Sequence, residues 1–428
     1  MKTDVKDCGS EKKLFFNRET AEKIASAVGT PYYLYDEKGI KNALAGLREA
    51  FRGLDFKEYF AVKACPNPYI LKVLKDAGAG VDCSSYTELL MAKACGFRGA
   101  DIMFSSNVTP AEDFELARSL DALINLDDIT HIEFLEQHGG IPETVCMRYN
   151  PGGDFTISGA IMGAPGEAKY GMTREQILES CRILKGKGVK TFGLHSFLAS
   201  NMLGNRYWET LSEVLLRLAA DIKRETGITI SFINLSGGIG IPYKPTDKPV
   251  DIFKVGETVE KKIGKICAEE DLPVPAVKAE LGRYITGPYG VLVARCIHKK
   301  DIYREYVGLD ACAANLMRPA MYGSYHHITV LGKENEPKTK VYDVTGGLCE
   351  NNDKFAIERS LPEIEIGDLI AIHDAGAHGF SMGYNYNGKL RSAEVLLKED
   401  GTFKLIRRAE TPEDYFATFD FPGAEIKL

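Results

Sequence analysis

The sequence has little that would suit a nucleic acid or a membrane. Its 53 basic side chains are outnumbered by 60 acidic ones, and the densest basic stretch covers only residues 185–190. Because a phosphate backbone is bound by clustered cations, a nucleic acid is not an expected partner. No stretch approaches the ~18 apolar residues of a membrane span, and residues 1–6 lack the apolar core of a signal peptide. We therefore expect a soluble, cytoplasmic protein without a membrane partner.

Cysteine pairs and metal-binding patterns are also missing. The ten cysteines are scattered singly, without a Cys-x-x-Cys pair, through a chain that is large enough to fold without cross-links. Such usage disfavours a disulfide framework and structural zinc. His326 and His327 are adjacent, and neighbouring side chains on a strand point to opposite faces, so they are poorly placed to bind one ion. No metal site is expected.

The sequence shows the alternation of strand-like and helix-like segments that is typical of an α/β protein. The 428 residues, 44% of them hydrophobic, are enough for two or three domains. Short β-branched or aromatic runs alternate with longer amphipathic segments, which predicts parallel strands covered by helices. The alternation indicates a (β/α)8 TIM barrel. The eight predicted strands are residues 59–64, 80–85, 101–106, 122–126, 144–149, 191–197, 232–235 and 276–280.

The helices and the second domain follow from the same patterns. Thr173, with Gln176 three residues later, is a capping-box signal for the start of a helix. The predicted helices include residues 68–77, 86–95, 110–120, 173–187, 207–226 and 255–269. After about residue 287 the sequence turns to strand-like alternation, which predicts a C-terminal antiparallel β domain. Its predicted strands are residues 290–298, 305–309, 327–331, 340–345, 368–373 and 393–406.

The expected domain boundaries place the barrel at residues 38–286 and the β domain at residues 1–37 and 287–428. Residues 31–36 form a strand-like run ahead of the barrel. They could open the barrel or add a strand to the β domain, and we favour the β domain.

Three of the predicted barrel strands end in residues that carry chemistry, at the face where barrel enzymes place their active sites. Lys63 ends the first, where desolvation would lower its pKa and make it a nucleophile, although a lysine reaching the rim is an equally ordinary interpretation. A glycine cluster, residues 237–240, follows the seventh and could hold a phosphate, although such clusters are usually turns. Glu280 ends the eighth. An amine, a phosphate cradle and a carboxylate are together the three anchors of pyridoxal 5'-phosphate.

These motifs resemble the barrel-type (fold type III) pyridoxal-phosphate decarboxylases, the family of alanine racemase and ornithine decarboxylase, and within it the diaminopimelate decarboxylases. The likeness runs along nearly the whole chain. Its marks are Tyr59-Phe-Ala-Val-Lys63-Ala, Gly80-Val-Asp82-Cys-Ser-Ser85, Glu280-Leu-Gly-Arg283, Arg318-Pro-Ala-Met-Tyr322, Cys349-Glu350-Asn-Asn-Asp353 and Asp374-Ala-Gly-Ala377. The resemblance implies that Lys63 binds the cofactor covalently and that Glu280 contacts its ring nitrogen. Further cofactor contacts are implied for Phe197, Ser200, Gly237, Gly238, Gly240, Gly282, Arg283 and His378.

The resemblance also gives roles to residues of the β domain. Cys349 is implied as a catalytic residue that returns a proton to the substrate, and Cys349-Glu350 as a segment that enters the partner's barrel in a homodimer with shared active sites. A lone cysteine would otherwise be taken as core filler. The implied substrate-binding residues supply cations for a distal carboxylate and an anion for a distal ammonium. They are Arg283, Arg318, Tyr322, Glu350 and His378.

The chain departs from the family pattern at three positions. Phe197 stands where the family has a histidine stacked on the cofactor ring, and His378 replaces a tyrosine that touches phosphate and substrate. Ser236 replaces the first glycine of a triple glycine, while Tyr384 or Tyr386 could compensate for the missing tyrosine. The phosphate contacts and the position of the substrate are therefore expected to differ from those of the standard enzyme. His195 could support the residues that contact the cofactor, but a barrel histidine with its own hydrogen bonds satisfied is the favoured interpretation.

The implied reaction is α-decarboxylation of a basic amino acid, with meso-2,6-diaminopimelate, which would give L-lysine and CO2, as the leading substrate. Another basic amino acid, such as D- or L-lysine or ornithine, remains an alternative. A racemase would need a second base that the sequence does not reveal. A non-catalytic pyridoxal-phosphate-binding protein would have no use for the Cys349-Glu350 segment.

Overall fold

A computed structural model describes residues 12–153 and 165–419. The chain forms two compact units. The barrel unit consists of Gly39–Pro242 and Lys248–Thr286, and the β unit consists of the described residues up to Lys38, Tyr243–Asp247 and the described residues from Gly287 onward. The β unit contains the first two elements of the chain, helix α1 (Arg18–Val28) and strand β1 (Tyr32–Asp36).

The barrel unit is the predicted closed barrel, since its eight described strands pair in parallel and in chain order, with the last strand returning to the first. Each observed strand overlaps the segment predicted for it. The strands are β2 (Phe56–Ala61), β3 (Gly80–Cys83), β4 (Ile102–Ser105), β5 (Leu123–Leu126), β6 (Thr144–Arg148), β7 (Thr191–His195), β8 (Ile230–Asn234) and β9 (Ala276–Ala279).

Helices join the barrel strands. They are α2 (Glu37–Ala50), α3 (Pro68–Asp76), α4 (Tyr86–Ala94), α5 (Ala111–Ser119), α6 (Thr130–Gln137), α7 (Arg174–Gly186), α8 (Tyr207–Thr226), α9 (Ile252–Glu269) and the short α10 (Arg283–Thr286). The capping box predicted for Thr173 and Gln176 is formed at the start of α7, where each side chain bonds the other residue's backbone N–H.

Large side chains fill the barrel interior. Tyr59, Met103, Cys146 and Phe232 form a buried layer from four different strands. Gly193 makes room for this layer, because a Cβ on it would lie 2.2 Å from the Phe232 ring. The interior is therefore a packed core, which leaves the ends of the strands as the place for a site.

The β unit is built mainly from antiparallel strands. Its further strands are β10 (Gly290–Asp301), β11 (Glu305–Leu309), β12 (Ile328–Val330), β13 (Lys340–Thr345), β14 (Lys354–Leu361), β15 (Leu369–Ile372), β16 (Ala393–Leu397) and β17 (Phe403–Arg407), and its further helices are α11 (Arg318–Tyr322) and α12 (Pro412–Phe416). The sheet order is β14-β13-β11-β10-β1-β16-β17, and β15 pairs with β10 and β12.

Strand β1 pairs within this sheet and not with the barrel, which is the alternative favoured from the sequence. It lies in the middle of the sheet, antiparallel to β10 and parallel to β16. Strands β11 and β13 form a second parallel pair. The mostly antiparallel domain expected from the sequence is confirmed. The two parallel pairings were not predicted, because the alternation of side chains does not encode strand direction.

Within the described ranges, no helix combines the length and the apolar character required to cross a bilayer. The nine cysteines described there are free, and eight of them are buried, Cys349 being the exposed one. Cys8 lies outside the described residues.

Candidate active site

Lys63 stands in a 3-10 turn, Val62–Ala64, immediately after β2. Its Nζ donates a hydrogen bond of 2.9 Å to Oδ2 of Asp82, which lies on the neighbouring strand β3. The Lys63 side chain keeps 49% of its surface exposed, whereas Asp82 is fully buried. The amine is therefore held on one side by a carboxylate and is accessible on the other.

The sequence-based expectation of a lowered Lys63 pKa is wrong for the chain without cofactor. Desolvation does act to lower the pKa of Lys63, but the charges of Asp82 and Glu280 outweigh it, and the pKa is raised. Desolvation and Glu280 in turn raise the pKa of Asp82 to about 7. The neighbouring carboxylates thus stabilise the protonated Lys63 amine, which must lose a proton before it acts as a nucleophile.

Glu280 follows β9 directly, and its buried carboxylate is held by side chains from three other strands and a loop. Oε1 accepts hydrogen bonds from Asn234 Nδ2 at 2.7 Å and from Ser105 Oγ at 3.3 Å. Oε2 accepts one from Ser236 Oγ at 2.9 Å and lies 3.2 Å from His195 Nε2. Ser105, His195 and Asn234 are the last residues of β4, β7 and β8. The carboxylate thus has a fixed position at the C-terminal face of the barrel.

These contacts keep Glu280 ionised. Burial would raise the pKa of Glu280, but the interactions with His195, Lys63 and Ser236 lower it to about 2. Desolvation lowers the pKa of His195, so its ring is neutral near pH 7. Because a carboxylate can only accept, we assign the ring hydrogen to Nε2, where it is donated to Glu280. His195 therefore supports Glu280 as a hydrogen-bond donor, and it is not the fully satisfied histidine favoured from the sequence, since its Nδ1 has no partner among the described residues.

The cluster leaves polar atoms that a ligand could satisfy. Asp82 Oδ1 and His195 Nδ1 are buried and have no partner among the described residues. A buried polar atom without a partner costs roughly 1–3 kcal/mol, which a polar ligand can offset. Together with the accessible Lys63 amine and the anionic Glu280, this arrangement fits pyridoxal phosphate. Lys63 would hold its aldehyde carbon and Glu280 its protonated ring nitrogen.

The glycine cluster after β8 forms a tight loop beside the start of α8. Gly238 has φ +101°, and a Cβ there would lie 2.3 Å from the Tyr207 ring. A Cβ on Gly240 would lie 2.6 Å from the backbone carbon of Asn201. The Gly240 N–H already donates to Met202 O at 2.8 Å, so it does not offer the phosphate donor expected from the sequence. Glycine at position 240 allows the backbone of Asn201 to lie close by. The amides of Gly237 and Gly238 remain as the candidate phosphate donors.

The other predicted cofactor residues of the barrel unit lie around the same loops. Phe197 is half-buried, with a ring carbon 3.8 Å from where a Gly237 Cβ would be, and it also lines a narrow pocket with Arg148 and Tyr170. Ser200 is half-buried in the loop that contains Phe197.

The segment that follows Glu280 passes close to the turn that holds Lys63. A Cβ on Gly282 would lie 2.4 Å from the Ala64 Cβ, so glycine permits this approach. Arg283 is buried at the first position of α10.

The predicted substrate residues of the β unit differ in exposure. Arg318 is buried at the start of α11, donates to Ser324 Oγ at 3.3 Å, and has its guanidinium 5.2 Å from the centre of the Tyr243 ring. Tyr322, at the end of the same helix, is 42% exposed. The helix therefore combines a buried, oriented cation with an accessible phenol.

Cys349 and Glu350 occupy an exposed loop between β13 and β14. The Cys349 N–H donates to Asn387 Oδ1 at 2.8 Å, and Glu350 Oε1 accepts from the Asn352 N–H at 3.0 Å. The loop is fastened by buried Asp353, which accepts from the Leu348 N–H at 2.8 Å. A fixed backbone thus presents two exposed side chains, a thiol and a carboxyl group.

His378 and its possible substitutes also lie in the β unit. His378 is half-buried and has φ +54°, a backbone conformation that few side chains adopt. Tyr384 is half-buried and desolvation raises its pKa, whereas Tyr386 is 50% exposed.

The adjacent histidines turn to separate partners. His326 Nδ1 lies 2.8 Å from the carbonyl oxygen of His373, and His327 Nδ1 lies 3.3 Å from the Tyr325 hydroxyl. Across the described portion of the chain, no group of three or more His, Cys, Asp or Glu side chains is placed to hold a metal ion.

Several residues of the site were not assigned a role by the sequence. These residues are Asp82, which lies within β3, and Ser105 and Asn234, which end β4 and β8. Ser105 and Asn234 are polar residues at the ends of predicted strands, and that position was a readable signal. Ser105 and Asn234 meet Glu280 only because the barrel closes, and a local sequence pattern carries no information about that closure.

The chain is similar to known proteins in sequence and in fold. The sequence model of a family described as "Pyridoxal-dependent decarboxylase, pyridoxal binding domain" matches residues 37–287. Protein TabA of Pseudomonas amygdali pv. tabaci is 40% identical over 405 residues, which cover 95% of this chain and 94% of the relative. Diaminopimelate decarboxylase of Methanothermobacter thermautotrophicus is 32% identical over 414 residues, 95% of each chain. The crystal structure of diaminopimelate decarboxylase from M. jannaschii with L-lysine superposes with a TM-score of 0.87 at 29% identity, covering 93% of each chain.

Proposed function

The chain belongs to the pyridoxal-dependent decarboxylase family, and on that premise we propose that it removes the α-carboxylate of a basic amino acid, most specifically meso-2,6-diaminopimelate, to give L-lysine and CO2. The observation that carries the proposal is the pairing of an accessible Lys63 amine with a buried Glu280 carboxylate held by four side chains. Such a pair serves the cofactor that the family uses.

When bound, pyridoxal phosphate supplies an electron sink for the electrons of the broken bond between Cα and the carboxylate. Lys63 holds the cofactor, and Asp82 orients the amine and exchanges protons with it. Glu280 keeps a negative charge where the ring nitrogen lies, which favours the protonated and more electron-withdrawing ring. Gly237 and Gly238 provide backbone donors for the phosphate, and Phe197 provides an apolar face at the position of the family's stacking histidine.

Arg283 and several residues of the β unit are proposed to act on the substrate. Arg318, with Arg283 and Tyr322, binds the distal carboxylate of diaminopimelate, because planar guanidinium groups suit bidentate carboxylate recognition. Glu350 binds the distal ammonium. Cys349 returns a proton to Cα after CO2 has left, a role for which its exposed thiol is accessible.

We also propose a homodimer in which the Cys349-Glu350 loop completes the site of the other subunit. The support is the family resemblance of this motif together with the exposure of both side chains on a loop with a fixed backbone. An exposed proton donor needs a second surface to exclude water around it, and a partner subunit could supply that surface.

The substrate could instead be another basic amino acid, such as D- or L-lysine or ornithine. Two observations favour keeping this second candidate. The name of the 40% identical relative, TabA, states no substrate, and His378 stands where the family has a tyrosine that touches the substrate. An imidazole is shorter than a phenol and can carry a proton near neutral pH, so it would change the reacting end of the site.

Product analysis tests the function and separates the two candidates. Purified protein with pyridoxal phosphate would be incubated with meso-diaminopimelate, D-lysine, L-lysine, D-ornithine and L-ornithine, and CO2 and amine products would be measured by mass spectrometry. Lys63→Ala is the matched control. Lysine formed from diaminopimelate supports the leading proposal, whereas a diamine from lysine or ornithine supports the second. No CO2 from any of the five would contradict both.

A further inference from the structure

The first two residues of helix α8, Tyr207 and Trp208, contact two different loops of the barrel unit. The Tyr207 hydroxyl oxygen accepts hydrogen bonds from the N–H groups of Leu198 and Ala199, both at 3.1 Å, in the loop after β7. Trp208 Nε1 donates to Gly237 O at 2.8 Å, in the glycine loop after β8. The first turn of α8 therefore holds two loops: Tyr207 holds the loop after β7, and Trp208 holds the glycine loop after β8.

The two loops are also joined to each other by backbone hydrogen bonds. Met202 N–H donates to Gly238 O, and Gly240 N–H donates to Met202 O, both at 2.8 Å. Asn201 strengthens this joint, because its Oδ1 accepts from the Ile241 N–H at 3.0 Å. Carbonyl and amide groups that face the other loop are thus satisfied, whereas the amides of Gly237 and Gly238 are not used in this joint.

The side chains of this turn are packed as well as hydrogen-bonded. Tyr207 is 1% exposed and Trp208 is fully buried, with its ring 5.5 Å from that of Phe51 in an edge-to-face arrangement. The Tyr207 ring fills the space where a Gly238 Cβ would be. A rigid aromatic pair consequently determines how the glycine loop lies. Rigid support matters because a loop that must be ordered on binding loses affinity for its ligand.

We propose that Tyr207 and Trp208 are positioning residues that hold the glycine loop and the Phe197 loop as a preformed cradle for the cofactor's phosphate. The inference rests on the proposed function, in which Gly237 and Gly238 bind that phosphate. Neither aromatic side chain needs to touch the phosphate. Trp208 acts by fixing the peptide of Gly237, and Tyr207 acts by fixing the 198–199 backbone and the space beside Gly238.

The test compares pyridoxal phosphate with pyridoxal, which has the same aldehyde and ring but no phosphate. Dissociation constants of both would be measured by equilibrium dialysis and by the visible absorption of the Lys63-bound form. The ratio of the two constants isolates the contribution of the phosphate. The variants are Trp208→Phe, which removes the donor but keeps an aromatic ring, and Tyr207→Phe, which removes the acceptor of two buried amides. Tyr32→Phe is the matched control, since it removes a buried hydroxyl, bonded to Ala21 O at 3.0 Å, from the β unit.

Trp208→Phe should weaken pyridoxal phosphate binding by about 3- to 10-fold, the range that one hydrogen bond commonly contributes, and leave pyridoxal binding unchanged. Tyr207→Phe should weaken it by about 10-fold or more, because two amides lose their acceptor. Tyr32→Phe should leave the ratio unchanged. An equal loss for both ligands, or no loss for either, would overturn the inference, because the aromatic pair would then be structural filler.

The unaltered protein separates this inference from the proposed function. If it binds pyridoxal phosphate through Lys63 and favours it over pyridoxal, but the ratio does not fall in Trp208→Phe, the cradle inference fails and the function stands. If the unaltered protein binds pyridoxal phosphate no more tightly than pyridoxal, both the cradle inference and the assignment of the glycine loop to the phosphate fail. Because Trp208 is the single tryptophan of the chain, its fluorescence in the unaltered protein reports independently on ligand binding beside Gly237.

Discussion

Glu280 and Glu58 are two buried carboxyl groups of one barrel whose pKa values shift in opposite directions. Four side chains bond to Glu280, and its pKa falls to about 2. Glu58 accepts one bond, from the Leu281 N–H at 2.6 Å, and its other oxygen has no partner in the described residues. Burial therefore raises the pKa of Glu58 well above its ordinary value. Burial alone does not decide the charge, because the number of donors does.

This contrast gives a matched pair of substitutions. Glu280→Gln should lower kcat by ~100-fold or more while pyridoxal phosphate remains bound, because a neutral amide no longer favours the protonated ring nitrogen and a well-placed charge commonly contributes several kcal/mol. Glu58→Gln should change kcat less than about 3-fold, since burial favours the neutral form of Glu58, which the amide resembles. Steady-state kinetics with cofactor content measured by absorbance provides the check. Equal kcat in Glu280→Gln and the unaltered protein would show that Glu280 is not the ring partner.

At the scale of single residues, the sequence indicated candidate groups more readily than it indicated the direction of their pKa shifts. Lys63 and Glu280 were identifiable because each follows a recognisable strand. The direction of the Lys63 pKa was not, since it depends on Asp82, 19 positions away in sequence, and on Glu280. The role of the Gly240 amide was misassigned for a similar reason: its acceptor, Met202 O, belongs to another loop.

At the scale of elements, the loop between β13 and β14 carries the exposed Cys349 and Glu350 on a backbone fastened by Asp353. The Asp353 carboxylate accepts from the Ala313 N–H at 2.6 Å and from the Leu348 N–H at 2.8 Å. Desolvation raises its pKa, so the two backbone donors are what keep a charged form acceptable there. The geometry of the proposed proton donor consequently depends on one buried side chain.

Asp353→Asn should therefore impair catalysis without affecting the cofactor. A neutral amide accepts these bonds more weakly, and a small displacement of Cys349 would lower kcat by about 10-fold, since misplacements near 1 Å can cost more than that. Asp400→Asn is the control, because Asp400 also accepts a backbone bond, from Thr402 N–H at 2.9 Å, in an exposed turn. Reduced kcat with unchanged absorption of bound cofactor is the expected result. Loss of the cofactor in Asp353→Asn would show that this aspartate supports more than the loop.

Most elements were predictable because their patterns are local. The eight barrel strands alternate with amphipathic segments, and α8 begins and ends where its pattern does. Strand β14 was not predicted, since Glu358 has φ +48° and the pairing with β13 shifts register, which breaks the alternation. Helix α2 was not singled out, although Ile40, Leu44 and Leu47 follow helical spacing. This spacing of apolar residues would have been sufficient to predict the helix.

At the scale of the whole molecule, the family relationship extends over both units, since the relatives align with 95% of the chain. Lys63 belongs to the barrel unit and Cys349 to the β unit. The proposed shared site requires that these two residues act together from different subunits. This arrangement is testable without a structure of the dimer.

Two inactive variants should restore each other. Lys63→Ala and Cys349→Ala homodimers would be mixed and their subunits exchanged. About half of the dimers should be heterodimers, each with one doubly altered and one intact site, so activity should approach roughly a quarter of that of the unaltered protein if the sites are independent. Cys349→Ala alone must first prove strongly impaired. Exchange verified by native mass spectrometry without any return of activity would require that each chain completes its own site.

The attachment point of the cofactor shows whether Lys63 is the residue that holds it. Protein incubated with pyridoxal phosphate would be reduced with borohydride, digested, and mapped by tandem mass spectrometry. We expect one dominant pyridoxyl-lysine, at Lys63. In Lys63→Ala, both this adduct and the visible absorption band should be absent. A dominant adduct on any other lysine, or an unmodified Lys63 in protein saturated with the cofactor, would contradict the assignment of the site.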